Sequence, residues 1–254
     1  MKKIIILLFT IIFSVSLNSQ RNPNAEYWIS FNYEPQKGMV QKFEKAVADK
    51  TKKYNTTEET AIFAFQIMTG SSQGAYQRWM VRKDVSYFDQ DTSDELKYWN
   101  ENVDPYIANK SGQRIWQINK SASHGWDEPR SPLKYYTQQV YVVKRGHNGD
   151  FMTPQRRLKQ LFSDIEYSGN RAVFKLISGG NNQTFMIISG FDNHDRTSSS
   201  NNLPEGTNWQ DAYNTKFGEN AWSEDWGAQN DAIEMWGSNS VKMQFRPDLS
   251  TELN

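Results

Sequence analysis

Three histidines, His124, His147 and His194, are the chain's whole stock of side chains that titrate near neutrality, and there is no cysteine. The missing thiol removes disulfides, thiolate catalysis, Cys-held metals and a lipid carried on Cys. His147 stands between a strand pattern and a helix pattern, where a general acid or base or an axial ligand would be well placed, so it is the catalytic candidate. His124 sits in a Ser/Gly/Pro-rich linker and reads as solvated. His194 lies in the polar run Phe191-Asp192-Asn193-His194-Asp195-Arg196 and is kept as a ligand-binding candidate. That run has oxygen ligands but not the spaced Asp/Gly signature of a calcium loop, and three scattered histidines do not make a zinc site, so no metal is expected. Trp222 and Trp226 are four residues apart and share one helix face, with Trp209 upstream. Packed on a sheet they are core. Left open, they are a stacking platform for a sugar or a flat ligand, with Glu224 and Asp225 beside them as polar anchors. There is no Gly-x-Ser-x-Gly, phosphate loop, dinucleotide fingerprint or His-Glu-x-x-His.

The elements that must position these residues follow from periodicity. Tyr27, Ile29, Phe31 and Tyr33 alternate as a strand closed by Pro35 and Gly38. Val40, Phe43 and Val47 form a helical stripe. Residues 61–68 and 75–81 are strands about the turn Thr69 to Gly74. Thr92 and Glu95 have the spacing of a capping box opening a helix through Leu96, Trp99 and Val103. Residues 113–119 give a fourth strand. After the linker 121–132 the order restarts: a strand through Tyr136, Val140 and Val142, and a helix entered at Thr153-Pro154 and carrying Leu158, Leu161, Phe162 and Ile165. Strands at 171–177 and 184–190 follow. A helical region capped by Asn208 or Thr207 is interrupted near Gly218, and a last strand spans 240–246.

The two halves also match by residue. Phe65-Gln66-Ile67-Met68-Thr69-Gly70 aligns without a gap on Phe174-Lys175-Leu176-Ile177-Ser178-Gly179, Tyr76 on Phe185, and Phe43, Ala46 and Val47 on Leu158, Leu161 and Phe162. Internal similarity laid over a repeated element order points to duplication. The expectation is an α+β protein of two ferredoxin-like βαββαβ repeats, 26–120 and 133–248, packed sheet to sheet as an intramolecular α+β barrel. The polar stretch Thr197 to Gly206 lengthens a link of the second half and reads as a lid.

The element order and the repeated Ser/Thr-Gly turn at Gly70 and Gly179 resemble the dimeric α+β barrel superfamily over Glu26 to Pro247. That resemblance implies a pocket between sheet and helices or inside the barrel. It also implies a choice among haem-degrading and quinone-forming monooxygenases, haem-dependent peroxidases and stress-responsive proteins, with haem as the one cofactor it brings into view.

The ends and the composition add compartment and partners. Met1-Lys2-Lys3, the apolar run Ile4 to Phe13 and the small residues up to Ser19 make a secretory signal over 1–19, cut after Ser16 or Ser19. Without Lys2 and Lys3, 27 basic residues face 29 acidic ones, which speaks against nucleic acid or membrane as partner. Aromatics are 14% of the chain and all hydrophobics only 37%, so aromatic rings must stand in for aliphatic core or line a cavity. The reading is a secreted or periplasmic monomer that binds a small flat or apolar ligand or a protein partner, with no cofactor required. A haem-handling or cofactor-independent monooxygenase and a carbohydrate-contacting accessory protein are the alternatives.

Overall fold

The computed structural model describes residues 25–126, 132–194, 206 and 208–252; the signal sequence and most of the lid stretch lie outside them. In chain order the elements are β1 (Tyr27–Pro35), α1 (Val40–Tyr54), β2 (Ile62–Ile67), β3 (Tyr76–Lys83), α2 (Ser93–Asn102), β4 (Ile107–Lys110) and β5 (Arg114–Ile118). The second half continues with β6 (Tyr135–Val143), α3 (Asn148–Asp164), β7 (Asn170–Ser178), β8 (Thr184–Phe191), α4 (Trp209–Phe217), α5 (Ala221–Ala232) and β9 (Ile233–Phe245).

Eight strands close into an antiparallel barrel in the order β1-β3-β2-β9-β6-β8-β7-β5 and back to β1, with β4 paired to the far end of β1. Within each half the fourth long strand lies beside the first, then the third, then the second: β5-β1-β3-β2 and β9-β6-β8-β7. The halves join along two seams, where Phe65 faces Phe245 and Trp116 faces Leu176. Closure leaves the barrel without free edges.

Period two sends alternate side chains inward and outward. Trp28, Trp79, Trp116, Phe174, Tyr136 and Met186 fill the barrel, which is where the aromatic excess goes. Trp28 and Phe174 have ring centroids 5.0 Å apart. Their indole donors are satisfied locally: Trp116 Nε1 donates to Ser30 Oγ at 2.9 Å and Trp79 Nε1 to Gln77 Oε1 at 2.8 Å. From the linker, Trp126 packs on Trp28 and Tyr136. The outward faces are covered by α1 and α2 in the first half and by α3, α4 and α5 in the second, giving separate apolar clusters around Phe43 and Val47 and around Phe151, Leu161 and Tyr213.

Several local expectations are corrected. Thr92 occupies the cap position of α2 without a side-chain cap bond, because Glu95 turns away to pair with Lys50. Of the helix residues Leu96, Trp99 and Val103, the last two are buried and Leu96 is exposed. Helix α3 starts at Asn148 rather than Thr153, so Pro154 lies within it; Thr153 Oγ1 instead donates back to the Gly149 carbonyl. The short β4 was missed, and β9 begins at Ile233, directly off α5. His124 is half-buried: its backbone bridges to Arg171 and its Nε2 donates to the Tyr167 carbonyl at 2.9 Å.

Candidate functional site

The helix-facing side of the second half is polar where packing calls for apolar residues. On β6 the inward residues are Tyr136 and Val140, while Thr137 and Gln139 point toward the helices; Ser189 joins them from β8. Helices α3, α4 and α5 close over this floor and leave a cavity of about 390 Å³, roofed by Trp209, Trp222 and Trp226 and walled by Phe162 and Tyr167. That volume suits a small organic molecule.

Its frame is held by polar links between the elements. Arg157 on α3 donates to Asp225 on α5 at 2.7 Å, and the Tyr213 hydroxyl on α4 donates to the same carboxylate oxygen. Deeper in, Arg171 Nη2 donates to Gln155 Oε1, and Gln155 Nε2 to Gln229 Oε1, tying β7, α3 and α5 together. Arg171 reaches this side because its neighbours Ala172 and Phe174 follow the alternation, and Phe174 enters the barrel. Among the described residues no carboxylate lies within ion-pair distance of Arg171. Burial pushes its pKa down to about 10, leaving it charged at neutral pH, and burial also raises that of Tyr141, which lines the cavity from β6.

Among the described residues, three N–H groups of this lining have no acceptor and are shielded from solvent: Arg171 Nη1, Trp209 Nε1 and Trp226 Nε1. A buried donor without a partner costs about 1–3 kcal/mol and a charged one more. Among the described residues the lining contains no carboxylate and no imidazole. From these residues the site offers cation, donors and aromatic faces, with tyrosine as the one group among them that could act as a general base.

A second cavity, of about 410 Å³, occupies the corresponding place in the first half, between the sheet and α2. It holds Arg78, 2% exposed, whose Nη2 donates to Thr51 Oγ1 at 2.7 Å and whose guanidinium lies 5.3 Å from the Trp99 ring centroid.

Of the residues singled out by sequence, Trp222 and Trp226 line the second-half cavity. Their rings meet edge to face at 68° and neither is exposed, so they form no open flat platform of the kind a carbohydrate-contacting protein would need. His194 is exposed, its ring against Tyr135 and Phe191, and His147 stands on the surface at the cap position of α3, without a side-chain cap bond and with Nδ1 2.9 Å from Asp150 Oδ2; neither lines either cavity. Glu224 is exposed, and Asp225 is committed to Arg157 and Tyr213. Sequence reading passed over Arg171 and Arg78. The signal that could have found them is a long cation at a strand position whose neighbours on the same side face a helix layer.

Haem was the cofactor brought into view by resemblance. Neither cavity has a His or Cys in its lining, and the Met80 sulfur accepts from the Tyr87 hydroxyl at 3.0 Å. A haem held by histidine or cysteine has no axial ligand in either cavity; tyrosine is a haem-ligand type that both linings contain. No cluster of three metal-binding side chains occurs among the described residues.

No family model matches the chain, and no curated protein matches it. Solved structures do. A protein provisionally assigned as a monooxygenase from Lactobacillus acidophilus superposes over 90% of this chain and 96% of its own, at 9% identity and TM-score 0.53. An anthrone oxidase-like protein covers 87% and 91%, at 11% identity and TM-score 0.51. The chlorite dismutase of Candidatus Nitrospira defluvii, solved with imidazole, covers 88% and 92%, at 7% identity and TM-score 0.50. At such identities the likeness is one of fold: this chain has the α+β barrel, ferredoxin-like architecture that those proteins share.

Proposed function

We propose that this chain is a small-molecule-binding protein whose second-half cavity takes a flat organic monoanion, such as an aromatic carboxylate or a phenolate. The observation that carries the reading is the Arg171 guanidinium, without a counter-charge among the described residues, in a lining of tryptophans to which those residues bring no carboxylate. A buried cation without a counter-charge is costly, and a bound anion offsets that cost. Trp209 and Trp226 supply two more donors and aromatic faces for the ring. None of the three free N–H groups touches water-sized space, so binding includes a small rotation of these side chains.

A catalytic reading is the alternative. The fold neighbours include proteins named for monooxygenase and oxidase chemistry, and a phenolate is a substrate that dioxygen can oxidise without a cofactor. Among the described residues the lining has no base beyond tyrosine, so turnover with these groups would be confined to substrates that arrive already ionised. We further infer that the two halves are tandem ferredoxin-like repeats, supported by the repeated strand order and by the aligned Gly70 and Gly179 turns. The chain is proposed to be exported on its basic-then-apolar start and to act as a monomer, since pairing between its own halves closes the barrel.

The test is a thermal-shift screen of mature protein against aromatic carboxylates, phenols and their neutral isosteres, read beside native mass spectrometry of the protein as exported and after addition of haemin. Stabilisation by the anions that is lost in Arg171→Met supports the reading. Equal stabilisation by the neutral isosteres, or stoichiometric uptake of haemin alone, would overturn it.

A further inference from the structure

The first-half cavity has a different chemistry, and nothing above depends on it. Its floor is the outward face of β1 and β3, with Phe31, Tyr33, Arg78 and Met80; its rim is α2 and the 3₁₀ turn Val85–Asp89. Two cations stand inside. Lys50, 4% exposed, pairs with Glu95 and donates to Asn55 Oδ1 at 2.8 Å. Arg78 has no carboxylate within ion-pair distance among the described residues, and its Nε has no acceptor. Lys110, also in the lining, is paired with Asp104 at 2.6 Å. Glu95 thus compensates Lys50 and Asp104 compensates Lys110, which leaves one unbalanced positive charge at Arg78. Aliphatic and thioether groups, Ile62, Met80 and Leu96, sit alongside the aromatic ones, and the rim carries Phe88 at 37% and Leu96 at 58% exposure. Large apolar side chains left open at the mouth of a charged cavity suit a ligand whose apolar part lies along the rim.

We propose that this cavity is a second, independent ligand site, for a singly charged carboxylate with an aliphatic tail, its head at Arg78 and its tail along Leu96 and Phe88. Lys50 makes the site sensitive to pH. It faces Arg78 from β3 and Glu95 from α2, and burial pushes its pKa down to about 8. Loss of its proton leaves Glu95 uncompensated beside the incoming anion, so affinity falls as pH rises from about 7 to about 9.

The experiment is calorimetric titration of octanoate into the mature wild-type chain and into Arg171→Met, where the other cavity has lost its cation. Octanoate should bind both with similar affinity, and binding should weaken at least about tenfold in Arg78→Met and in Leu96→Glu, one charge-removed and one charge-repelled contact being of that order. Leu96→Glu changes only an exposed helix position, so it reads the site even where Arg78→Met folds poorly. Failure of octanoate to bind wild type, its loss in Arg171→Met, or undiminished binding to Leu96→Glu would overturn the second site. None of these outcomes except loss in Arg171→Met bears on the second-half cavity, so the two proposals fail separately.

Discussion

Arg171 gives one N–H to the side-chain oxygen of Gln155 and holds another, on Nη1, without an acceptor among the described residues. The bond to Gln155 fixes the guanidinium between β7 and α3, and the unmet donor leaves it poised for a ligand. If this arrangement serves binding, it does so at the expense of the empty protein. Arg171→Met should therefore hold or raise thermal stability, by roughly 1–3 kcal/mol where the methionine packs well, while abolishing preference for anionic ligands. Thermal unfolding of the unliganded variant checks this; a fall of more than about 2 kcal/mol would mark Arg171 as structural.

Alkaline pH should first help and then harm the fold. Lys50 is held at about 8 against an ordinary value of 10.5, so between those values the unfolded chain binds more protons and stability rises with pH. Tyr33 and Tyr136 are raised by burial to about 12 from 10.0, so above pH 10 the unfolded chain loses protons that the folded one keeps, and stability falls. Denaturant unfolding across this range should show a maximum near pH 10 that flattens on its acid side in Lys50→Met. An unchanged profile in that variant would contradict the placement of Lys50.

The two aligned turns should respond unequally to alanine. Gly70 and Gly179 have φ of +87° and +88°, a left-handed conformation that costs an L side chain roughly 1–2 kcal/mol. A Cβ on Gly70 would meet only a Val241 methyl at 3.3 Å, whereas on Gly179 it would lie 2.2 Å from the Gln113 carbonyl oxygen. Gly179→Ala should thus cost clearly more than Gly70→Ala in chemical denaturation, because the backbone seam of β5 and β7 must give way. Equal losses would contradict that register.

Trp236 offers the reverse case. It projects from a bulge where residues 234–237 of β9 oppose one residue of β6, with φ +61° and 94% exposure. Trp236→Asn should stabilise the chain by up to about 1 kcal/mol, since asparagine tolerates this conformation better. A loss of stability would mean that the indole is packed after all.

The strands were legible because period two is strong in parts of this chain: Tyr27 to Tyr33 and Tyr136 to Val142 alternate, and the apolar run at 61–68 is bounded by the Thr69 to Gly74 turn. Helix starts were less so. Thr92 with Glu95 and Thr153 with Pro154 have the local spacing of caps, but Glu95 is drawn to the buried Lys50, and α3 propagates N-terminally because Phe151 and Met152 have a sheet to pack on. The site was half legible. Trp222 and Trp226 stood out by spacing, whereas Arg171 and Arg78 look like ordinary strand cations until the helix layer above them is known. His147 drew attention for its rarity, and rarity carries no information about which way a side chain faces.

The central claim is a charge-selective cavity built on Arg171. Calorimetric titration of 2-naphthoate and of its neutral counterpart 2-naphthalenemethanol, carried out in the Leu96→Glu chain to keep anions out of the first-half cavity, addresses it directly. The naphthoate should bind at least about tenfold more tightly than the alcohol, the order expected for one buried charge-assisted hydrogen bond, and the difference should vanish when Arg171→Met is added. A preference for naphthoate that persists without Arg171, or no preference with it, would contradict the account.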